Sequence, residues 1–448
     1  MVYDLTKGKT NKVLLKFTVP LFISVIFQQM YSIADSLIVG RFAGEDALAA
    51  VGASYPITNI FNAVAIGCNI GCSVVISRYF GAGKYKKVRT AASTSVIASI
   101  VAGAFLTLVG IVLAPALMHA VNTPENIFAD SALYLEIYVG GFIFLFIYNI
   151  ANGVFNSLGD SKTSLYFLIF SSVFNVVLDY VLVAGFGMGV AGVAWATFIA
   201  QGIAGVLSVI ALFRHLKKLE CNGKPQLFSF VILKRIAAIS IPSILQQSFV
   251  SVGNIFIQKL INGFGSSVVA GYSAAIKLNT FTLNCLCTFG NGVSSFTSQN
   301  LGAGRTDRIK QGFKYGSLMV IVTGVVFAIA YLLFNKPFIN VFMEGDASAL
   351  AIASGTSFLK TVAPFYCFIG IKLVGDGVLR GVGSMKLFMI ATFSDLLLRV
   401  VLAFAFAPSF GYQGIWYSWP IGWTTATIMS LVFCIMIFKT YEKKLIEQ

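Results

Sequence analysis

The chain has 448 residues, of which 57% are hydrophobic and 11% are charged. Soluble domains carry about 25% charged residues, so a water-soluble protein of this composition would be unable to cover its apolar interior. The net charge of +15 does not indicate nucleic-acid binding, because the Lys and Arg residues cluster in short loops between apolar runs. An integral membrane protein is therefore predicted.

Twelve apolar stretches are each long enough to cross a bilayer as a helix, which takes about 20 residues. Their predicted limits are residues 13–40, 47–80, 88–116, 129–156, 162–185, 189–214, 234–262, 267–300, 312–335, 349–380, 385–408 and 412–438. The predicted fold class is therefore an all-α integral membrane protein with twelve transmembrane helices. The seven Cys and two His residues are not spaced as ligands, so neither a disulfide framework nor a His/Cys metal site is expected.

The loops that connect these stretches differ in charge. Loops on the side of the N-terminus are rich in basic residues, among them Lys84, Lys86, Lys87, Arg89, Arg214, Lys217, Lys218, Lys224, Arg305, Arg308, Lys310, Lys314, Lys386 and Lys439. The opposite side has mainly Arg41 and Lys336, beside several acidic residues. Basic loops stay in the cytoplasm, so both termini are predicted to be cytoplasmic in a multi-pass protein of the cell membrane.

The two halves of the chain repeat each other. The segment "SRYFGAGKYKKVR" (77–89) parallels "SQNLGAGRTDRIK" (298–310), and "NGVFNSLGDSK" (152–162) parallels "DGVLRGVGSMK" (376–386). Each half has six spans, an even number, so the halves are parallel repeats with a substrate cavity expected at their interface. The predicted domains are an N-terminal lobe (1–216), a cytoplasmic linker (217–233) and a C-terminal lobe (234–448).

Four polar side chains of the first half fall at one depth. Asn175 and Asp179 are one helical turn apart, so they share a face of the fifth helix. Asp179 lies ~25 Å and Asp35 ~28 Å from the cytoplasmic ends of their helices, and Thr197 lies ~12 Å from the outer end of the sixth helix. The four side chains are therefore predicted to meet in the outer half of the bilayer.

An ionisable side chain at membrane depth is costly and is usually functional. Two carboxyl groups with no basic partner at their depth are suited to hold a proton, and Asn and Thr oxygens would adapt the same site to Na⁺. The alternative is that Asp35 and Asp179 are buried, hydrogen-bonded structural groups. We favour a coupling-ion site, because two acids at one depth are hard to explain by packing.

The second half carries basic residues in its helices instead. Asp395 and Arg399, and Asp376 and Arg380, are spaced as intrahelical ion pairs. Lys277 and Lys360 have no evident partner, and they are candidates for a basic cavity wall or for side chains that extend to the membrane surface. The candidate substrate cavity comprises Gln29, Lys277, Lys360, Asp395 and Arg399.

These motifs together resemble the multidrug and toxic compound extrusion (MATE) transporters over the full length of the chain. The resemblance rests on the twelve spans, the repeated "GAG" loops, "ADSLIVGRFAGEDALAAVG" and "NVVLDYVLVAGFGMGVAGVAWATFIAQ". It implies cation-coupled export by alternating access and a cation site that falls on Asp35, Asn175, Asp179 and Thr197. It also implies that Tyr134 and Asn152 join the hydrogen-bond network of that site.

The predicted function is therefore a secondary antiporter that exports amphipathic small molecules, drug-like or metabolite, in exchange for H⁺ or Na⁺. A flippase for lipid-linked oligosaccharide or another anionic amphiphile is the alternative, which the basic second half favours and the paired acids disfavour. Neither an enzyme, a nucleic-acid partner nor a cofactor other than the coupling ion is expected. The lipid bilayer and the substrate are the expected partners of a monomer.

Overall fold

The computed structural model describes residues 4–221, 223–343 and 348–446, and it is built almost entirely of helices within those ranges. The helices of the first half are α1 (Thr10–Ile38), α2 (Glu45–Gly81), α3 (Tyr85–Ala120), α4 (Glu125–Gly140), α5 (Phe142–Ser157), α6 (Ser161–Asp179) and α7 (Gly189–Lys217). Two π-helical turns, Val39–Ala43 and Tyr180–Gly185, continue α1 and α6. The axis bends by 45° between α4 and α5, which together form one broken span.

The second half follows the same plan. Its helices are α8 (Phe230–Asn262), α9 (Ser266–Gly302), α10 (Thr306–Leu333), α11 (Asn335–Asn340), α12 (Ala349–Val362), α13 (Tyr366–Val382), α14 (Met385–Phe410) and α15 (Tyr412–Ile446). A 3₁₀ turn at Ala363–Phe365 joins α12 and α13 into one span, at the place where α4 and α5 meet in the first half. Pro364 in this turn has no N–H to continue the α-helical pattern.

The helices confirm the twelve predicted stretches, six in each half. Among the described residues, ten helical segments are long and apolar enough to span a membrane, and the bent pair α4–α5 makes eleven. The remaining predicted span is α9, which is a helix of 37 residues but contains many polar residues. Those side chains are buried within the protein, among them Asn279, Thr282, Ser294, Thr297, Gln299 and Asn300. A helix surrounded by other helices does not need the apolar surface that lipid demands.

Contacts between residues divide the chain into two units. The first unit contains Val19–Ile244, and the second contains Leu5–Thr18 and the chain from Leu245 onward. This grouping divides α1 and α8, whereas the predicted domains divide the chain at the 217–233 loop. The part of α8 up to Ile244 belongs to the first unit, although it follows the 217–233 loop in the chain. The predicted lobe boundaries stay a prediction.

Each unit has the same internal packing. In the first unit, α2 packs against α3, α4 and α5, and α7 packs against α5 and α6. In the second unit, α9 packs against α10, α12 and α13, and α15 packs against α13 and α14. Helices that occupy equivalent places in the sequence repeat therefore make equivalent contacts. The repeat of the sequence is a repeat of tertiary structure.

Close packing of α2 on α8 within the first unit depends on glycine. A Cβ atom at Gly71 would overlap the Ser240 side chain and lie 2.8 Å from the Ile236 carbonyl oxygen, so backbone atoms would have to move. We expect Gly71→Ala to destabilise the protein by about 1–3 kcal/mol through overpacking. Thermal unfolding in detergent would show this as a lowered Tm.

Gly52 of the same helix supplies the matched control. A Cβ atom at Gly52 would meet nothing within 4 Å, so Gly52→Ala removes a flexible residue without a clash. We expect this variant to keep or slightly raise the Tm, because Ala favours a helix by about 1 kcal/mol over Gly. An equal loss of stability in both variants would contradict the packing argument.

Candidate ion-binding site in the first unit

Two acidic residues stand beside the two π-helical turns of the first unit. Asp179 is the last residue of α6, directly before the turn Tyr180–Gly185, and Asp35 lies one turn before Val39–Ala43. The two π-helical turns pack against each other. A π-helical turn inserts a residue and changes the direction of neighbouring side chains, and such turns are common at functional sites. The local geometry therefore brings two helix segments together where each carries a carboxyl group.

The two carboxyl groups meet inside the unit. Asp179 is fully buried, Asp35 is half-buried, and their side chains lie within hydrogen-bonding reach of each other. The Oδ1 atoms of both residues are buried without a hydrogen-bond partner in the described part of the chain. Two ionised carboxylates at this separation repel each other strongly, so the pair requires a shared proton or a bound cation.

Asn175 connects the acids to the neighbouring helices. With its amide oriented to suit its neighbours, the nitrogen donates to Asp179 Oδ2 at 3.3 Å and to the Tyr31 hydroxyl at 3.0 Å. Its oxygen accepts a hydrogen bond of 3.2 Å from the backbone N–H of Thr197. Asn175 and Thr197 are both buried. The structure thus brings the four predicted residues together, although Thr197 contacts Asn175 through its backbone.

Tyr31 is a member of this site that the sequence analysis missed. It lies four residues before Asp35 on α1, so the two side chains share a helix face. That spacing is the same signal that links Asn175 with Asp179, and it would have identified Tyr31. Because its hydroxyl accepts from Asn175, Tyr31 joins α1 to α6 independently of the carboxyl pair.

The two residues implied by family resemblance have different surroundings. Tyr134 is buried in a core cluster with Val39 and stacks on Tyr138 with ring centroids 6.0 Å apart. It interacts electrostatically with Asp35, which places its side chain beside the acids. Asn152 lies beyond the bend between α4 and α5, and its described side-chain neighbour is Tyr148. Its part in the network stays a prediction.

The donor set fits a proton or a small hard monovalent cation. The unpartnered Oδ1 atoms of Asp35 and Asp179 are the free ligands, and carboxylate oxygens suit hard cations. Within the described ranges, no group of three or more His, Cys, Asp and Glu side chains is placed to hold a metal ion. A transition-metal site is therefore not formed by these residues, whereas H⁺ or Na⁺ matches the chemistry present.

The candidate cavity residues of the second unit do not form one group. Lys277 and Lys360 are exposed, and the Lys277 ammonium lies 5.6 Å from the centre of the Phe342 ring. Asp395 and Arg399 are buried, at 7% and 5% exposure. Gln29 is half-buried and belongs to the first unit. Their common role as a cavity wall stays a prediction.

The second unit contains a buried ion pair that sequence analysis also missed. Lys372 is buried, its ammonium lies 2.6 Å from Asp376 Oδ2, and it donates to Thr392 Oγ1 at 3.2 Å. The sequence spacing predicts a pair of Asp376 and Arg380, but Arg380 instead donates to Asn291 at 3.0 Å. Both basic residues lie one helical turn from Asp376, so spacing alone does not distinguish them. Packing against α9 draws Arg380 away and leaves Lys372 as the partner.

A protein family and several known proteins match both halves of the chain. The family model described as MatE matches residues 20–181 and 242–405, one range in each half of the chain. The chain is 30% identical to "Probable multidrug resistance protein YpnP" of Bacillus subtilis, with 92% of each sequence covered. It is 26% identical to "Probable multidrug resistance protein NorM" of Thermotoga maritima, with 91% of this chain and 88% of that protein covered.

Solved structures share the fold. A MOP superfamily transporter from Pyrococcus furiosus superposes with a TM-score of 0.92 at 22% identity, covering 98% of each chain. An outward-facing multidrug resistance MATE transporter superposes with a TM-score of 0.91 at 23% identity, covering 99% of each chain. The prediction of twelve helices in two six-helix repeats is confirmed. Since one family model matches both halves and the relatives align over nearly the whole length, the chain belongs to the MatE (MATE) family of multidrug efflux transporters.

Proposed function

We propose that this protein is a secondary antiporter that exports amphipathic small molecules in exchange for H⁺ or Na⁺. The observation that carries the proposal is the pair Asp35 and Asp179, whose buried Oδ1 atoms have no partner in the described structure. We further propose that both termini are cytoplasmic, that the protein acts as a monomer, and that it is not an enzyme.

The proposed mechanism follows from the charge of this pair. Without a bound cation, repulsion between Asp35 and Asp179 drives α1 and α6 apart at their π-helical turns. Two unit charges 4 Å apart interact by ~1 kcal/mol in water and several-fold more at lower dielectric. A proton or Na⁺ held between the carboxyl groups removes this repulsion. The side chains of Asn175 and Tyr31 then hold α1 against α6.

Coupling requires that the cation and the substrate favour different conformations. Two ligands that bias one element in opposite directions lower each other's affinity, typically by 5- to 150-fold. In this protein α1 is the element that the carboxyl pair moves. Cation entry from outside would therefore weaken substrate binding and drive release, and cation release to the cytoplasm would restore it.

The alternative function, a flippase for lipid-linked oligosaccharide or another anionic amphiphile, is not favoured. The chain has twelve helical stretches, and its pair of acids is suited to bind a coupling ion. A flippase that needs no cation would have no use for two buried carboxyl groups in contact, which are costly at membrane depth. The two functions differ in their dependence on an imposed gradient.

Transport into proteoliposomes with separately imposed H⁺ and Na⁺ gradients tests the proposal. We expect one of the two gradients to raise accumulation of an amphipathic dye at least about 5-fold, the lower end of typical coupling. An ionophore that collapses this gradient should abolish the accumulation. The other gradient would have little effect and would thereby identify the coupling ion. Dye movement that is the same with and without either gradient would overturn antiport and favour the flippase.

A further inference from the structure

The second unit contains a guanidinium group without a hydrogen-bond partner. Arg399 on α14 is 5% exposed, and in the described structure it makes neither a hydrogen bond nor an ion pair. Its Nε is buried and unsatisfied, and its guanidinium lies 4.3 Å from the centre of the Trp419 ring. An arginine has five N–H donors, and leaving a buried charge unpaired is strongly unfavourable. Contact with the indole ring covers one flat face of the guanidinium but provides no acceptor for its N–H donors.

The nearest acids do not form an ion pair with Arg399 in the described structure. Asp395 lies one turn earlier on the same face of α14, yet it also has no hydrogen bond, and its Oδ1 is buried and unpartnered. Asp376 is held by Lys372, and Arg380 by Asn291. Asp376 is thus paired with Lys372, whereas neither Asp395 nor the Arg399 donors have a partner in the described structure. Counting Lys372, Arg380 and Arg399 against Asp376 and Asp395, this region has one positive charge in excess.

Trp419, which lies against Arg399, belongs to a cluster of aromatic rings, two of which have a free donor. Trp416 and Trp419 lie on one face of α15, and their Nε1 atoms are both buried without a partner. Phe358 contacts both rings, with centroids 5.1 Å and 5.5 Å away, and Tyr272 stacks on Trp416 at 5.3 Å. A guanidinium and two indole N–H groups all donate, so the group they suit is an acceptor with negative charge.

We propose that Arg399, with the indole N–H groups of Trp416 and Trp419, binds the carboxylate of an aromatic amphipathic substrate. A carboxylate matches the planar fork of a guanidinium and accepts two parallel hydrogen bonds. The buried aromatic side chains make the surroundings of Arg399 apolar, which suits the rings of such a molecule. This inference rests on the proposed export function and names its substrate class: aromatic compounds that carry a carboxylate.

Two dyes that differ only at the carboxyl group test the proposal. Rhodamine 19 has a free carboxylate, and rhodamine 6G is its ethyl ester. Binding to purified protein is measured by fluorescence anisotropy in detergent, without any gradient. We expect the wild type to bind rhodamine 19 at least about 10-fold more tightly, as charge-assisted hydrogen bonds allow. Arg399→Gln is expected to remove that preference and to change rhodamine 6G binding by less than about 2-fold.

Two further variants separate recognition from folding. Trp419→Phe keeps an aromatic ring but removes the N–H, and it is expected to weaken rhodamine 19 binding by about 3- to 10-fold without affecting the ester. Lys386→Gln removes an exposed charge from the same helix as Arg399 and should leave the preference unchanged. If Arg399→Gln does not fold, Arg399→Lys replaces it, since an ammonium cannot make the bidentate contact and should reduce the preference.

The outcomes distinguish this inference from the proposed function. Equal affinity of the wild type for both dyes would overturn the carboxylate site, as would equal weakening of both dyes in the Arg399 and Trp419 variants. Because binding is measured without a gradient, a preference for the carboxylate beside a failure of gradient-driven transport would overturn antiport alone.

Discussion

Replacing Asp179 with Asn is expected to abolish ion-driven export while leaving the protein folded. The amide has nearly the shape of the carboxyl group but carries neither a negative charge nor a proton that can be released. Without the charge, the gradient has no means to move α1 relative to α6. Gradient-driven dye transport in proteoliposomes should fall to within about 2-fold of the level without a gradient, since coupling rests on differential binding. Asp35→Asn should have the same effect.

Stability separates this result from a structural role. Asp179 is fully buried beside Asp35, so removing its charge relieves repulsion and should keep or raise the Tm. A structural acid would instead leave its hydrogen-bond partners unsatisfied and lower the Tm. Asp46→Asn, at an exposed acid in the first turn of α2, is the matched control and should transport normally. Normal coupling in both the Asp35 and Asp179 variants would overturn the proposed ion site.

Separating Lys372 from Asp376 should produce the largest loss of stability. Both side chains are buried, and their contact of 2.6 Å is accompanied by the hydrogen bond to Thr392. Lys372→Met removes the ion-pair partner of a buried carboxylate in the second unit, which is expected to destabilise the protein by about 3–5 kcal/mol. Asp376→Leu leaves an uncompensated ammonium and should be similarly unstable. Unfolding followed by thermal or denaturant titration in detergent measures both.

The double variant tests whether Lys372 and Asp376 contribute to stability as an ion pair. Lys372→Met with Asp376→Leu removes both charges together, and apolar replacements of buried ion pairs are often neutral or stabilising. We therefore expect the double variant to be more stable than either single variant, with a coupling energy of at least about 2 kcal/mol. Lys386→Met, at an exposed lysine of α14, should change little. If the double variant loses the sum of the single losses, the two residues act independently and the ion-pair argument fails.

The meeting of the acids at the proposed ion site was predictable because the position of a residue along a membrane-spanning helix sets its depth in the bilayer. Asp35 and Asp179 are 144 positions apart, yet each lies a similar distance along its helix, and a common depth restricts where they can meet. The i,i+4 spacing placed Asn175 beside Asp179. The same spacing places Tyr31 beside Asp35, but a tyrosine is not costly at membrane depth and therefore does not by itself indicate a functional site.

The charged residues of the second unit were less predictable for a physical reason. Asp376 has a basic residue one turn away on either side, and both satisfy the helical spacing equally. The choice depends on what packs against α13: Asn291 of α9 accepts from Arg380, and Lys372 remains with Asp376. Likewise, Asp395 and Arg399 have the spacing of an ion pair, yet Arg399 lies on Trp419 instead. Spacing permits a contact, and competing neighbours decide whether it forms.

The sequence by itself determined the membrane environment, the twelve helical stretches, the duplication and the two acids of the proposed ion site. These follow from hydrophobic length, from repeated motifs and from the fixed rise of a helix, all of which are local properties. Only the tertiary structure decided the π-helical turns beside Asp35 and Asp179, the exposure of Lys277 and Lys360, and the unpaired donors of Arg399. Those features depend on which helix faces which neighbour, and that is set by packing between segments distant in the chain.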